Sequence, residues 1–278
     1  MSSRFLNPRA PALCLLLAVA TVPSAGATDL PGAGRVLGVC ADPDNLPYSH
    51  QDESGFENRI AAIVASELGA SLQYEWQPMR RGFVRKTMGT GRCDVFIGVP
   101  AGFERVLTTQ AYYRSSYVFV WRRGEDGPRS FADPRIARER IGVQLVGNDM
   151  AATPPGHALA RAGALSNVVG YPVYGDGPAA RRMVDALASH DIACALLWGP
   201  QAGYFARRAA VPMEIAVAHA PAGLEAPFEF SIAMGVARGN AALRDELDAV
   251  LRHRRNDIDA VLAQYAVPRT DLGQENPR

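Results

Sequence analysis

From residue 35 onward, short β-branched and aromatic runs alternate with longer stretches of helical period, and this alternation predicts the order of elements. Arg35–Ala41 (RVLGVCA) reads as a strand and Leu72–Trp76 as a second. Between them, Phe56–Leu68 places Ile60, Ile63, Val64 and Leu68 on one helical face and stops at Gly69. Arg81–Met88 is a further predicted helix, ended by Gly89, and it delivers the chain to Asp94–Val99 (DVFIGV), a run suited to a strand covered on both faces. Such a β-α-β-α-β order requires right-handed crossovers and a mostly parallel sheet.

Farther along, Tyr117–Trp121 predicts a strand leading into the polar stretch Arg122–Gly127, which reads as a crossing into a second lobe. There Arg140–Leu145, Val168–Val173, Ile192–Trp198 and Met213–Ala218 are predicted strands. A short helical segment is expected after the Thr-Pro-Pro interruption within Ala151–Ala162, and Ala179–Ser189 is amphipathic through Met183 and Leu187. Pro221–Pro227 crosses back, Phe230–Ala237 resumes a strand, and Ala241–Tyr265 forms a last helix pair through Leu243, Leu247, Val250, Leu251, Ile258, Val261 and Leu262. The chain therefore goes out and returns. The expectation is an α/β protein of two lobes, each a mostly parallel sheet flanked by helices: residues 28–121 plus 224–278 form lobe 1 and 122–223 form lobe 2. A hinge is expected near Trp121–Arg123 and Ala218–Gly223.

The first 27 residues stand outside this pattern. Arg4 and Arg9 precede the apolar run Ala10–Val22, and small residues end in Ala25-Gly26-Ala27, an arrangement suited to signal peptidase. The run is shorter than the ~20 residues that a spanning helix needs, so cleavage after Ala27 is expected, and no later segment is long and apolar enough to cross a membrane. With 29 basic and 28 acidic side chains the formal charge is +1. Losing Arg4 and Arg9 with the leader, which carries no acidic residue, changes it to −1. That balance offers no general attraction for nucleic acid or anionic lipid.

Cys40, Cys93 and Cys194 remain after the leader, an odd number in an exported chain. Cys40 ends one predicted strand and Cys93 starts another. In parallel neighbours an offset of about four residues at ~3.3 Å each exceeds the ~7 Å Cα separation a disulfide tolerates, so no pairing is assigned. The five His residues are scattered and none lies near a cysteine in zinc-ligand spacing, so no metal or cofactor is expected. No nucleophile-base constellation and no phosphate-cradling Gly loop is present either.

Candidate binding residues lie where strands end, since ligands of open α/β sheets sit at the carboxyl edge. Asp42, Asn45 and Tyr48 occupy the Pro-rich loop after the first strand, where Asp and Asn either line a cleft or cap a turn. Trp76, Arg80 and Arg81 end the second strand and open the next helix, and their guanidinium groups either engage carboxylates and rings or remain exposed charges. Pro100–Thr109 follows the third strand and carries Arg105 and Thr108.

The out-and-back order, the leader, Gly55-Phe56-Glu57, Ile97-Gly98 with Glu104-Arg105, and Tyr112-Tyr113-Arg114-Ser115 together resemble the periplasmic solute-binding proteins of family 3, the polar-amino-acid type. The resemblance covers essentially the whole mature chain and implies the type II periplasmic binding fold. Those proteins hold a ligand's ammonium with an acidic residue two positions before a Pro after a second-lobe strand. Here Trp198 stands there, in Leu197-Trp198-Gly199-Pro200. Burying an ammonium without its carboxylate costs several kcal/mol, so a free amino acid is disfavoured, and Trp198 offers an apolar face instead. Cys40-Ala41-Asp42-Pro43, Arg80-Arg81-Gly82-Phe83, Arg92-Cys93-Asp94-Val95, Val99-Pro100-Ala101-Gly102 and Val173-Tyr174-Gly175-Asp176 are similar to a narrower group. These are the solute-binding-like proteins encoded beside PQQ-dependent methanol dehydrogenases, the MoxJ/XoxJ type. The resemblance implies a periplasmic, non-enzymatic protein that binds and assists such a dehydrogenase. An ABC importer's receptor for a small solute, or a dehydratase-like enzyme on the same fold, are the alternatives it leaves.

Overall fold

The computed structural model describes residues 34–146, 151–173 and 177–271. The leader and Tyr174-Gly175-Asp176 lie outside them. Its first half runs β1 (Val36–Ala41), β2 (Asp44–Asn45), β3 (Ser49–His50), α1 (Phe56–Glu67), β4 (Ser71–Trp76), α2 (Phe83–Lys86), β5 (Val95–Pro100) and β6 (Leu107–Thr108). Next come β7 (Tyr113–Arg122), β8 (Ile141–Val146), β9 (Ala151–Ala152), α3 (Pro154–Arg161), β10 (Val168–Pro172), α4 (Ala179–Ala188), β11 (Cys194–Trp198), α5 (Gly199–Ala206) and β12 (Met213–Val217). β13 (Glu229–Val236), α6 (Ala241–His253) and α7 (Arg255–Gln264) complete the chain. The α/β fold expected from the alternation is the one observed.

Strands follow the path β10-β8-β11-β7-β13-β5-β1-β4. β4 and β5 lie parallel to β1, and β10 and β11 parallel to β8, so each end of the path is a parallel group built by crossovers. Antiparallel pairing joins the groups in the middle, and β7 is shared. Its residues Tyr113–Ser116 pair with β13, while Tyr117–Arg122 pair with β11 and β12. Along β7, Val118 and Val120 enter the core that holds Met183 and Leu187 of α4, and Phe119 and Trp121 enter the one that holds Phe131, Ile136 and Leu159. Burial on both faces explains why this half of the strand reads as continuously apolar. After α7 the chain returns to the shared strand. Tyr265 stacks on Tyr204 of α5 with ring centroids 5.8 Å apart, the Ser115 hydroxyl donates to the Pro268 carbonyl at 2.6 Å, and the Thr270 N–H donates to the Arg114 carbonyl at 3.0 Å.

Three differences from the sequence expectation have physical causes. β7 begins four residues early because Arg114, Ser115 and Ser116 interrupt its apolar pattern. Both serines are buried, and Arg114 pairs with Glu229 across the ladder at 3.1 Å. At its far end Trp121 and Arg122 are strand residues opposite Glu214 and Met213. α2 is cut to one turn, because Gly82 sits at φ +88 before it and the chain tightens into a 3-10 turn at Met88–Thr90 after it. α5 is a helix to which the sequence pattern assigned no range, and it opens on Gly199-Pro200. Proline in a helix's first turn gives up no hydrogen bond.

The Cys40–Cys93 pairing, left unassigned from the sequence because of the expected strand offset, is made. The two form a disulfide with Cα atoms 5.4 Å apart. The strands do pair in parallel, Val39 opposite Val95, but Cys93 is not a ladder residue. It lies in the turn before β5, which folds over Gly38. The Asp94 N–H donates to the Gly38 carbonyl at 2.7 Å, and a Cβ on residue 38 would stand 3.2 Å from the Cys93 Cα. Cys194 is free and buried, and burial pushes its thiol up to about 12.

Candidate functional site

The loop leaving β1 is fixed before any ligand is considered. Asp42 uses both carboxylate oxygens on backbone: Oδ1 accepts from the Asp44 N–H at 2.9 Å and Oδ2 from the Met79 N–H at 2.6 Å. The second bond ties the loop to the segment after β4. The start of α1 docks on the same loop, Phe56 N–H donating to the Pro47 carbonyl at 2.8 Å and Glu57 N–H to the Tyr48 carbonyl at 2.9 Å. Asn58 Oδ1 accepts from Gly55 and His50 N–H groups at 3.1 and 3.0 Å. The Phe56 and Glu57 amides at the start of α1 are thus occupied by protein, and Tyr48 is held beside Glu57.

These two residues form one side of a cavity of about 340 Å³ that continues past Gly98, Val99 and Pro100 of β5 to Tyr113 and Tyr117 of β7, Trp198, and Phe230 and Ile232 of β13, with Asn45 and Met79 at its border. Its aromatic wall is packed edge to face: Trp198 lies 5.4 Å from Tyr117 and 5.5 Å from Phe230 by ring centroids. Tyr48 packs on Phe56 at 5.4 Å. A more polar cavity of about 360 Å³ adjoins it through Asn45 and Met79, bordered by Asp42, Arg80, Gln144 and Gln201.

Glu57 is the unusual group. It sits in the first turn of α1, where the helix dipole favours a carboxylate. Desolvation by the surrounding apolar and aromatic groups outweighs that and pushes its carboxyl up to about 8, so it holds its proton at neutral pH. Burial also raises the phenols of Tyr48 and Tyr113 well above their ordinary value and that of Tyr117 to about 12. Gly98 leaves room for the Glu57 carboxyl on β5, since a Cβ there would overlap that carboxyl as it is placed.

Of the residues singled out from sequence, Asp42, Asn45, Tyr48, Arg80 and Trp198 border these two cavities. The others do not. Trp76 stacks on Tyr74 at 4.5 Å, Arg81 and Arg105 are exposed, and Thr108 Oγ1 closes its own loop by accepting from the Gly102 N–H at 3.2 Å. Glu57, Tyr113, Tyr117 and Phe230 were missed as site residues. A lone glycine inside the apolar β5 run was the available signal for Glu57. Arg114 and the two serines after Tyr113 concealed the half of β7 that carries it, while Tyr117 lay in the predicted strand without being singled out. The site can hold an apolar group against its rings and one positive charge or proton at Glu57.

Among the described residues, no helix is long and apolar enough to cross a membrane. The profile of bacterial extracellular solute-binding proteins, family 3, matches residues 37–267. Protein MoxJ of Methylorubrum extorquens is 32% identical over 86% of this chain and 82% of its own length. The crystal structure of the periplasmic binding protein XoxJ from Methylobacterium extorquens AM1 superposes with a TM-score of 0.71 at 36% identity, covering 85% of this chain and all of that one. MxaJ from Methlophaga aminisulfidivorans, at 23% identity over 84% of this chain and all of its own, shares the fold with a TM-score of 0.72. The chain belongs to the family 3 extracellular solute-binding proteins and, within them, to the MoxJ/XoxJ group.

Proposed function

We propose that this is a periplasmic accessory protein, exported by cleavage after Ala27, that binds and assists or activates a PQQ-dependent methanol dehydrogenase through the cleft between two lobes. The lobes are residues 28–121 plus 224–278 and residues 122–223, and the change of partners along β7, from β13 at Tyr113–Ser116 to β11 and β12 at Tyr117–Arg122, supports a passage between them along that strand. Similarity to MoxJ and XoxJ supports the dehydrogenase as partner, through the association that the resemblance implies.

One observation carries the reading. The cavity between the two strand groups is walled by Trp198, Tyr117, Tyr113 and Phe230, and no Arg, Lys or His borders it among the described residues. A zwitterion's carboxylate has no counter-charge there, whereas an apolar segment of a protein partner finds aromatic faces of the kind that dominate interface energetics. The test is capture from periplasmic extract by the immobilised protein, followed by mass spectrometry. The dehydrogenase is expected among the retained proteins, and Trp198→Ala is expected to weaken its retention at least tenfold. No retention by the unsubstituted protein removes the proposal.

A further inference from the structure

The aromatic cavity contains a carboxyl with nothing to satisfy it. Among the described residues, Glu57 makes no side-chain hydrogen bond and no ion pair, and the hydroxyls of Tyr48, Tyr113 and Tyr117 make no hydrogen bond. These five oxygens, two of the carboxyl and three phenolic, border one accessible cavity without a protein partner among the described residues, and they mark where a ligand's donors sit. An ammonium group answers each feature. Its charge matches the carboxylate, its N–H groups donate to carboxylate and phenol oxygens, and the surrounding ring faces attract a cation.

We infer that this cavity binds a small organic ammonium ion with an aromatic or alkyl tail, Glu57 serving as its counter-ion. The carboxyl missing at position 198 is supplied to the same cavity by Glu57, which ionises as the cation binds. The site also selects against amino acids: with no basic residue on the cavity's border, a ligand bearing its own carboxylate is rejected while the corresponding amine is accepted. The volume, about 340 Å³, falls within the range of small-molecule sites.

Binding is coupled to protons. The titratable groups facing Glu57 are Tyr48 from the loop after β1, Tyr74 of β4, and Tyr112 and Tyr113 of β7, all neutral at pH 7. In the empty cavity burial keeps the carboxyl protonated up to about pH 8, and the arriving cation displaces that proton to solvent. Affinity therefore rises about tenfold per pH unit until about pH 8, and at pH 7 close to one proton is released per ion bound.

The experiment is calorimetric titration of the purified protein with 2-phenylethylammonium, 2-phenylethanol and phenylalanine, in two buffers of different ionisation heat. The ammonium is expected to bind at least tenfold tighter than either analogue and to release the proton. Glu57→Gln is expected to bind ammonium no better than alcohol. Equal binding of the alcohol, retained preference in Glu57→Gln, or no ammonium binding at millimolar concentration overturns the inference. Should Glu57→Gln not fold, the analogue preference and proton release of the unsubstituted protein decide. The inference does not rest on the dehydrogenase: amine titration and protein capture are separate measurements, and either can fail alone.

Discussion

At the scale of single residues, Glu57 makes a prediction about stability as well as binding. Its folded carboxyl titrates near 8 while the unfolded one titrates in the ordinary carboxylate range, so between about pH 4.5 and 8 the folded state holds a proton that unfolding releases. Stability therefore falls as pH rises through that window, by up to about 1.4 kcal/mol per unit, and levels off above it. Glu57→Gln removes this slope: it is expected to match the unsubstituted protein near pH 4 and exceed it near pH 8, as read by urea unfolding across pH. Parallel curves for the two proteins would show that the carboxyl is already ionised in the fold. The same residue marks where sequence reading of the site stopped. A carboxylate in a helix's first turn ordinarily reads as a solvated dipole partner, and only the helix's approach to Gly98 buries it. Trp198 was legible because the departure from the family pattern is local. Arg105 was not, because only the path of the Pro100–Thr109 loop directs it to solvent.

At the scale of elements, most strands and helices could be read because their apolar periods are uninterrupted, and the exceptions lie where polar or helix-breaking residues are buried. β7 hides its first half in Arg114-Ser115-Ser116, of which Arg114 pairs with Glu229 and the Ser115 hydroxyl bonds to the segment after α7. The Cys40–Cys93 link was illegible for a different reason: ladder spacing describes strand residues, and Cys93 belongs to a turn. Closing a separation of 53 residues, the bond limits the unfolded chain by up to about 4 kcal/mol in the loop-entropy account. The double variant Cys40→Ala with Cys93→Ala is expected to lose about 2–4 kcal/mol in denaturant unfolding. A loss under about 1 kcal/mol would mean that the turn over Gly38 is held as well by its Asp94 hydrogen bonds. The link joins the end of β1, from which the Asp42–Tyr48 loop leaves, to the turn before β5, and it shares a core cluster with Val99, which borders the aromatic cavity.

At the scale of the molecule, the sheet passes continuously through β7 and β13, and the segment after α7 crosses the same place. Tyr265 stacks on α5, while Pro268 and Thr270 hold the β7 residues just before that strand changes partners. Small-angle scattering is expected to show a radius of gyration that changes by less than about 1 Å on saturation with 2-phenylethylammonium, in contrast to the hinge closure around ligands of many periplasmic receptors. A larger contraction would show that the returning segment yields. Were the radius unchanged, the protein would act less like a pair of jaws than like a caliper locked at one setting. What enters would then be chosen by its thickness and its charge, and occupancy would leave no change of outline for a membrane permease to read.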